Sequence, residues 1–147
     1  MNKIEVKIKK LCDNARLPSY ATDFAAGADL YANIENDIEI LPHQRVKIPT
    51  GLAIEPPTGI VSVICARSGL STKFGIALAN GVGIVDSDYR GEIIVSLVNL
   101  SDTAYTVHPL DRVAQIIFMP YCFAQFTLSD TLSETERNTG GFGSTGG

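Results

Sequence analysis

Short apolar runs broken by Gly, Pro and polar clusters recur at intervals of about ten residues, a spacing that predicts strands joined by turns. Ile4, Val6 and Ile8 alternate with Lys3, Glu5, Lys7 and Lys9, which predicts a half-buried strand whose lysines keep a sheet edge soluble. Ile38 and Ile40 share one face of 37–41 before Pro42, and 45–48 alternates again up to Pro49-Thr50-Gly51. Residues 52–55 and the β-branched run 60–65 are two more strands, divided by a Pro-Pro-Thr-Gly turn. Residues 93–100 are almost continuously apolar, as for a strand covered on both faces. The strands 103–107 and 112–120 complete the set, with Gln115 inside the last apolar run. Helical spacing occurs only in 66–80, where Leu70, Phe74 and Leu78 lie at i, i+4 and i+8; Gly75 limits it to one or two turns. The pattern predicts an all-β barrel or sandwich with at most one short helix, near 70–79.

Residues 80–94, N-G-V-G-I-V-D-S-D-Y-R-G-E-I-I, hold the densest polar chemistry between apolar flanks. The stretch reads as a hairpin. Gly81 and Gly83 suit positive φ or a close approach of backbone to a ligand. A polar knot between apolar runs is stable at a surface turn or lining a site, and residue types alone leave both open.

Composition narrows the class. With 147 residues, 45% hydrophobic and 19% charged, the chain is globular and sized for one core. The net charge of −4 and the lack of a Lys/Arg cluster argue against nucleic acid as a partner. No apolar run approaches the ~20 residues that span a bilayer, and the N-terminus lacks the apolar core of a secretory signal. An intracellular, soluble protein is expected, cytoplasmic or nuclear. Cys12, Cys65 and Cys122 are odd in number and lack metal-like spacing, so they are expected to be reduced and mostly buried. His43 and His108 have no ligand partners nearby in sequence, which argues against zinc.

Character changes after residue 127. The segment 128–147 is polar and ends R-N-T-G-G-F-G-S-T-G-G, which predicts a flexible arm beyond a core of 1–127. Gly-rich sequence with hydroxyls presents N–H donors to phosphate oxygens, although the Walker pattern is absent. Arg137 and Phe142 supply a cation and a ring that a plain linker does not need, the parts of a nucleotide clamp. A-R-S-G-L at 66–70 leaves a strand and enters the short helix, where Ser68 is either a cap or an anion contact. Asp29 lies in A-A-G-A-D-L and Gln115 in R-V-A-Q; each alone reads as structural.

Taken in order, five stretches resemble the motifs of the trimeric all-β dUTPases over nearly the whole chain. They are A-A-G-A-D-L-Y-A, A-R-S-G-L, N-G-V-G-I-V-D-S-D-Y-R-G-E, D-R-V-A-Q-I-I-F and R-N-T-G-G-F-G-S-T-G. Ala66 stands where Pro is usual and Asn138 where Gly is usual; the second bears on how the arm flexes, not on what it holds. The resemblance implies a dUTPase-like β-barrel or distorted jelly roll that hydrolyses dUTP to dUMP and pyrophosphate with Mg²⁺. It implies a homotrimer whose subunits share each site. Asp86 would activate the attacking water, Tyr89 would pack on the deoxyribose, and Asn80 with the backbone near Gly83 and Val85 would read uracil. Arg67, Ser68, Gly69, Gln115, Arg137, Gly143, Ser144 and Thr145 would hold or brace the phosphates, and Phe142 would stack on the base. Asp29 would reach Mg²⁺ through water. The rival within the fold is a dCTP deaminase, disfavoured by D-S-D-Y-R-G-E. The rival outside enzymology is a nucleotide-binding regulatory module, disfavoured by the retained Asp86 and tail.

Overall fold

The computed structural model describes residues 3–141, and these form an all-β fold with one short helix. Its largest unit is a five-stranded antiparallel sheet. Across it run β2 (Ser19–Tyr20), β3 (Ala28–Tyr31), β12 (Arg112–Pro120), β7 (Ile60–Cys65) and β9 (Gly83–Val85). A second sheet sets β10 (Ile94–Asn99) between β5 (Arg45–Pro49) and β8 (Ile76–Leu78). Two ribbons close the ends: β4 (Ile38–Ile40) with β11 (Tyr105–Val107), and β1 (Lys7–Lys10) with β6 (Leu52–Glu55). The inner faces meet in one core that includes Leu30, Ile40, Ile48, Ile76, Leu97 and Ile116, all with almost no exposure. Each such side chain contributes about 1.5–3 kcal/mol of burial.

Five expectations change in the structure. The N-terminal strand is only Lys7–Lys10 and exposed throughout, because β1 pairs with β6 alone and no layer covers its apolar side chains. The helix α1 is Ser68–Phe74, not 70–79. Gly75 at φ 68° ends it in the left-handed conformation, and Leu78 then points inward from β8 instead of from a third helical turn. The 80–94 stretch is not a hairpin. Its first strand, β9, pairs with β7, whereas β10 beyond it pairs with β5 and β8. The polar segment therefore crosses from one sheet to the other. The cysteines are less buried than expected, Cys12 and Cys65 being half-buried and Cys122 exposed. The apolar run 93–100 is not covered on both faces throughout: Ile93, Val95 and Leu97–Asn99 are buried, but Ile94 and Leu100 are exposed.

Asn99 ties β10 to the β4–β11 ribbon. Its side chain is wholly buried, and Nδ2 donates to the carbonyls of Ile40 (2.9 Å) and Thr103 (2.7 Å). Its Oδ1 accepts from the Ser101 backbone (2.9 Å) and hydroxyl (2.8 Å). At the far end of that ribbon His108 Nδ1 meets Asp37 at 2.9 Å, and this bond and charge raise the imidazole pKa above its ordinary 6.5.

Asn99→Ala would strand buried carbonyls and leave a void. It should destabilise the fold by about 3 kcal/mol in urea titration, with the slope unchanged. A loss under about 0.5 kcal/mol would contradict this view of Asn99.

Candidate active site

The segment between β9 and β10 builds one wall of an open cleft of about 250 Å³, lined by Ile64, Asn80, Gly83, Asp86, Tyr89 and Glu92 among others. Gly81 at φ 71° makes the turn into β9. A Cβ on Gly83 would lie 2.9 Å from Cβ of Ile64, so only glycine lets this backbone sit against the neighbouring strand. The 86–89 turn closes with Tyr89 N–H donating to Asp86 O (3.2 Å), and Arg90 Nη1 donates to Ser87 O (2.7 Å) and Tyr89 O (3.0 Å). The Tyr89 ring lies across Gly91, where any Cβ would overlap the hydroxyl, and that hydroxyl donates to Glu92 O at 3.1 Å. Val85 is half-buried, and the Asp86 carboxylate is exposed to the cleft.

A second polar group sits on β3, β12 and β7 of the five-stranded sheet. Gln115 pairs with Asp29 on β3 and with Cys65 on β7, which fixes all three on one face. Asp29 is only 13% exposed and is held by Arg67 Nε at 2.9 Å and Arg112 Nη1 at 3.3 Å. Arg67 also donates to Arg112 O (3.1 Å). The buried carboxylate thus fixes two guanidinium groups that would otherwise repel. Gln115 Nε2 donates to Ala66 O (3.0 Å), and its Oε1 lies so close to Gly27 that a Cβ there would overlap it. Arg67 occupies the N-cap of α1 and makes no side-chain cap bond. Ser68 is therefore not a cap; it is exposed at the first helical position, beside Gly69, which has open space around it. Tyr105 stacks near Phe74 (5.2 Å between ring centroids), and its phenol pKa is raised, chiefly by burial and then by Asp111, against the pull of Arg67.

The structure brings Asn80, Gly83, Val85, Asp86 and Tyr89 together and, separately, Asp29, Arg67, Ser68, Gly69 and Gln115. It does not join the two groups within one chain. Gly83 and Val85, on the edge strand, pair with Ile64 and Ser62, and none of Asp29, Arg67, Ser68, Gly69 and Gln115 lines the cleft. Arg137 is exposed, its Nε donating to Gly140 O (2.8 Å), and among the described residues it stands with neither group. Phe142, Gly143, Ser144 and Thr145 lie outside the described residues. Among the described residues no three His, Cys, Asp or Glu side chains gather as a metal cage, and no helix is long and apolar enough to cross a membrane.

The dUTPase family model matches residues 13–146. The chain belongs to the dUTPase family. The Desulfitobacterium hafniense deoxyuridine 5'-triphosphate nucleotidohydrolase is 53% identical, with 99% of each chain covered. The Photorhabdus laumondii protein of the same name is 44% identical over 99% of this chain and 98% of its own. Among solved structures, the dUTPase of Staphylococcus bacteriophage 80alpha with dUpNHpp superposes with a TM-score of 0.88 at 24% identity, covering 97% of this chain and 98% of its own. A phage phi11 dUTPase described as coordinating a structural Mg(II) ion superposes at 0.80 with 19% identity, covering 88% of this chain and 99% of its own. At these identities the two phage enzymes show a shared fold.

Two residues of this dUTPase carry more than the sequence assigned them. Arg112 opens D-R-V-A-Q and proves to be the second cation on Asp29. Glu92 ends the longest motif and lines the cleft. The D-R pair at a turn was a signal for the first; no sequence pattern pointed to the partner of the second.

Arg67 is the better buried of the two cations, at 24% side-chain exposure against 50% for Arg112. In denaturant titration Arg67→Ala should cost about 2 kcal/mol, because Asp29 keeps only an exposed partner. Arg112→Ala should cost about 1 kcal/mol or less. The reverse order would contradict this account of the cluster.

Proposed function

We propose that this chain hydrolyses dUTP to dUMP and pyrophosphate, keeping uracil out of DNA and supplying dUMP, inside the cell where nucleoside triphosphates are made. The observation that carries the reading is the cleft in which Gly83, Asn80, Asp86 and Tyr89 converge beside a tightly closed turn. Its ~250 Å³ is below the ~300–1,000 Å³ of whole ligand pockets, which suits a base and sugar whose phosphates are held elsewhere.

Asn80 and the backbone about Gly83 read the uracil edge. Cytosine presents the reversed donor and acceptor pattern there and leaves polar groups unpaired, at about 1–3 kcal/mol each. The Tyr89 ring packs on the deoxyribose face and leaves no room for a 2′-hydroxyl. Asp86 takes a proton from a water molecule and orients it in line with the α-phosphorus. The new P–O bond forms as the bond to the bridging oxygen breaks, and pyrophosphate leaves. Arg67, Ser68, Gly69 and Gln115 cradle the phosphates. Arg137, Gly143, Ser144 and Thr145 close over them, with Phe142 on the base, as part of an arm formed by 128–147.

The donor set fits Mg²⁺ held mainly by substrate phosphates. Asp29 is the one carboxylate in the phosphate group, and its oxygens keep lone pairs beyond those used by Arg67 and Arg112, so it would hold the ion by accepting from a water bound to it. Bound there, the ion would supply positive charge against the phosphates.

Separation of the phosphate group from the cleft lining within the single chain supports a homotrimer in which each site draws its cleft and its phosphate group from different subunits. The outward face of the five-stranded sheet adds to this. Val63 pairs with Ile84 and Ile117, and Val61 with Met119, giving an apolar patch beside Gln115. The last strand ends at Pro120, and Phe123, Phe126, Leu128 and Leu132 beyond it are each at least 90% exposed in the single chain. Such residues call for a covering neighbour.

Pyrophosphate release should occur with dUTP and fall by about 100-fold or more with dCTP, dTTP and UTP, and chelator should abolish it. Asp86→Asn should bind dUTP and lose about 1,000-fold in turnover. Ammonia release from dCTP, or full activity of the Asp86 variant, would overturn the reading.

A further inference from the structure

The Tyr89 ring can exclude a 2′-hydroxyl only if it is held still, yet Tyr89 itself is 46% exposed and belongs to a short crossing segment. What holds it is the next stretch of chain. Glu92 presents two groups with different tasks. Its carbonyl accepts from the Tyr89 hydroxyl at 3.1 Å, and its carboxylate Oε1 accepts from Gly51 N–H at 2.7 Å. The second bond is charge-assisted and short. It crosses from the cleft wall to the turn between β5 and β6, a turn the chain leaves no freedom to move. Gly51 stands at φ 69°, its carbonyl accepts from Leu11 N–H (2.8 Å), and a Cβ on it would fall within 2.9 Å of Cys12, Ala15 and Asn33. Thr50, fully buried, adds its hydroxyl to Ile93 O at 2.7 Å, and Ile93 N–H donates to Leu52 O at 2.8 Å.

We propose that Glu92 is a positioning residue for sugar selectivity: its carboxylate locks the cleft wall onto the Thr50–Gly51 turn so that its carbonyl fixes the Tyr89 ring against the sugar. The proposal rests on the reading of Tyr89 as the deoxyribose gate. Glu92 does not touch the reacting atoms. Its loss acts on the competition between dUTP and UTP, not on the proton transfer at Asp86. Backbone bonds at Thr50 and Ile93 remain without it, so the fold persists while the gate loosens.

The test compares kcat and KM for dUTP and UTP across Glu92→Ala, Glu92→Asp and Glu92→Gln, alone and with Tyr89→Phe. Glu92→Ala should raise the UTP/dUTP ratio of kcat/KM about tenfold, mostly through KM. Glu92→Asp keeps the charge but falls short of Gly51, and should show the same change in direction. Glu92→Gln keeps an oxygen acceptor for Gly51 N–H and should restore most of the selectivity. Tyr89→Phe removes the hydroxyl that Glu92 holds, so the double variant with Glu92→Ala should be no less selective than the worse single one. Unchanged selectivity in both Glu92→Ala and Glu92→Asp, or additive losses with Tyr89→Phe, would overturn the proposal. If Glu92→Ala does not fold, Glu92→Asp decides. A parent protein that turns over UTP as readily as dUTP would instead overturn the reading of Tyr89 itself, whatever the Glu92 variants do.

Discussion

Strand β12 is hydrogen-bonded along both edges, and the site depends on that double pairing. With β3 on one side and β7 on the other, its register places Gln115 level with Asp29 and Cys65. A slip of one residue would turn Gln115 into the core and Ile116 out to solvent, so burial of Ile116 enforces the polar arrangement. The ion cluster follows from the same register. Asp29 is carried on β3, Arg112 opens β12, and Arg67 leaves the end of β7. Two arginines close to one another are tolerated because the carboxylate between them is nearly buried and contacts both.

The cleft relies on a different device. Residues 86–93 have no strand ladder of their own and cross between two sheets. Side chains and stray backbone groups replace the ladder: Arg90 on the turn carbonyls, Tyr89 on the Glu92 carbonyl, the Glu92 carboxylate on Gly51 N–H of the neighbouring turn, and Thr50 of that turn on the Ile93 carbonyl. A crossing held this way can present an exposed carboxylate at Asp86 without a stretch of core around it. On the proposed function, specificity for base and sugar comes from backbone position and ring position, and so from glycines and anchors more than from the residues that meet the ligand.

Much of this was legible in the sequence. The strands Ile60–Cys65 and Arg112–Pro120 follow from β-branched runs bounded by Pro, Gly and polar turns. Glycine at 83 signals close backbone approach, and the structure supplies Ile64 as the neighbour. The helix end was harder, because Leu78 satisfies helical spacing and a buried strand position equally, and only the left-handed Gly75 decides between them. The supposed hairpin failed for a topological reason: local turn chemistry at Asn80–Gly83 is real, but pairing partners are chosen by sheets distant in sequence. Alternation in the N-terminal lysine strand promised burial that only a further covering layer could supply. Glu92 was illegible as a strut because its partner is a backbone N–H at Gly51, 41 positions away.

In the proposed homotrimer the cleft and the phosphate group belong to one reaction and meet between subunits. Two inactive chains test it: Asp86→Asn, which lacks the base, and Ser68→Glu, which places a carboxylate at the exposed start of α1 where a phosphate would lie. Unfolded, mixed in equal amounts and refolded together, they should regain dUTP hydrolysis. Random assortment leaves roughly a quarter of the shared sites with both halves intact. Mixed oligomers that form normally and stay inactive would contradict the account, since a site contained within one chain would always carry one of the two defects.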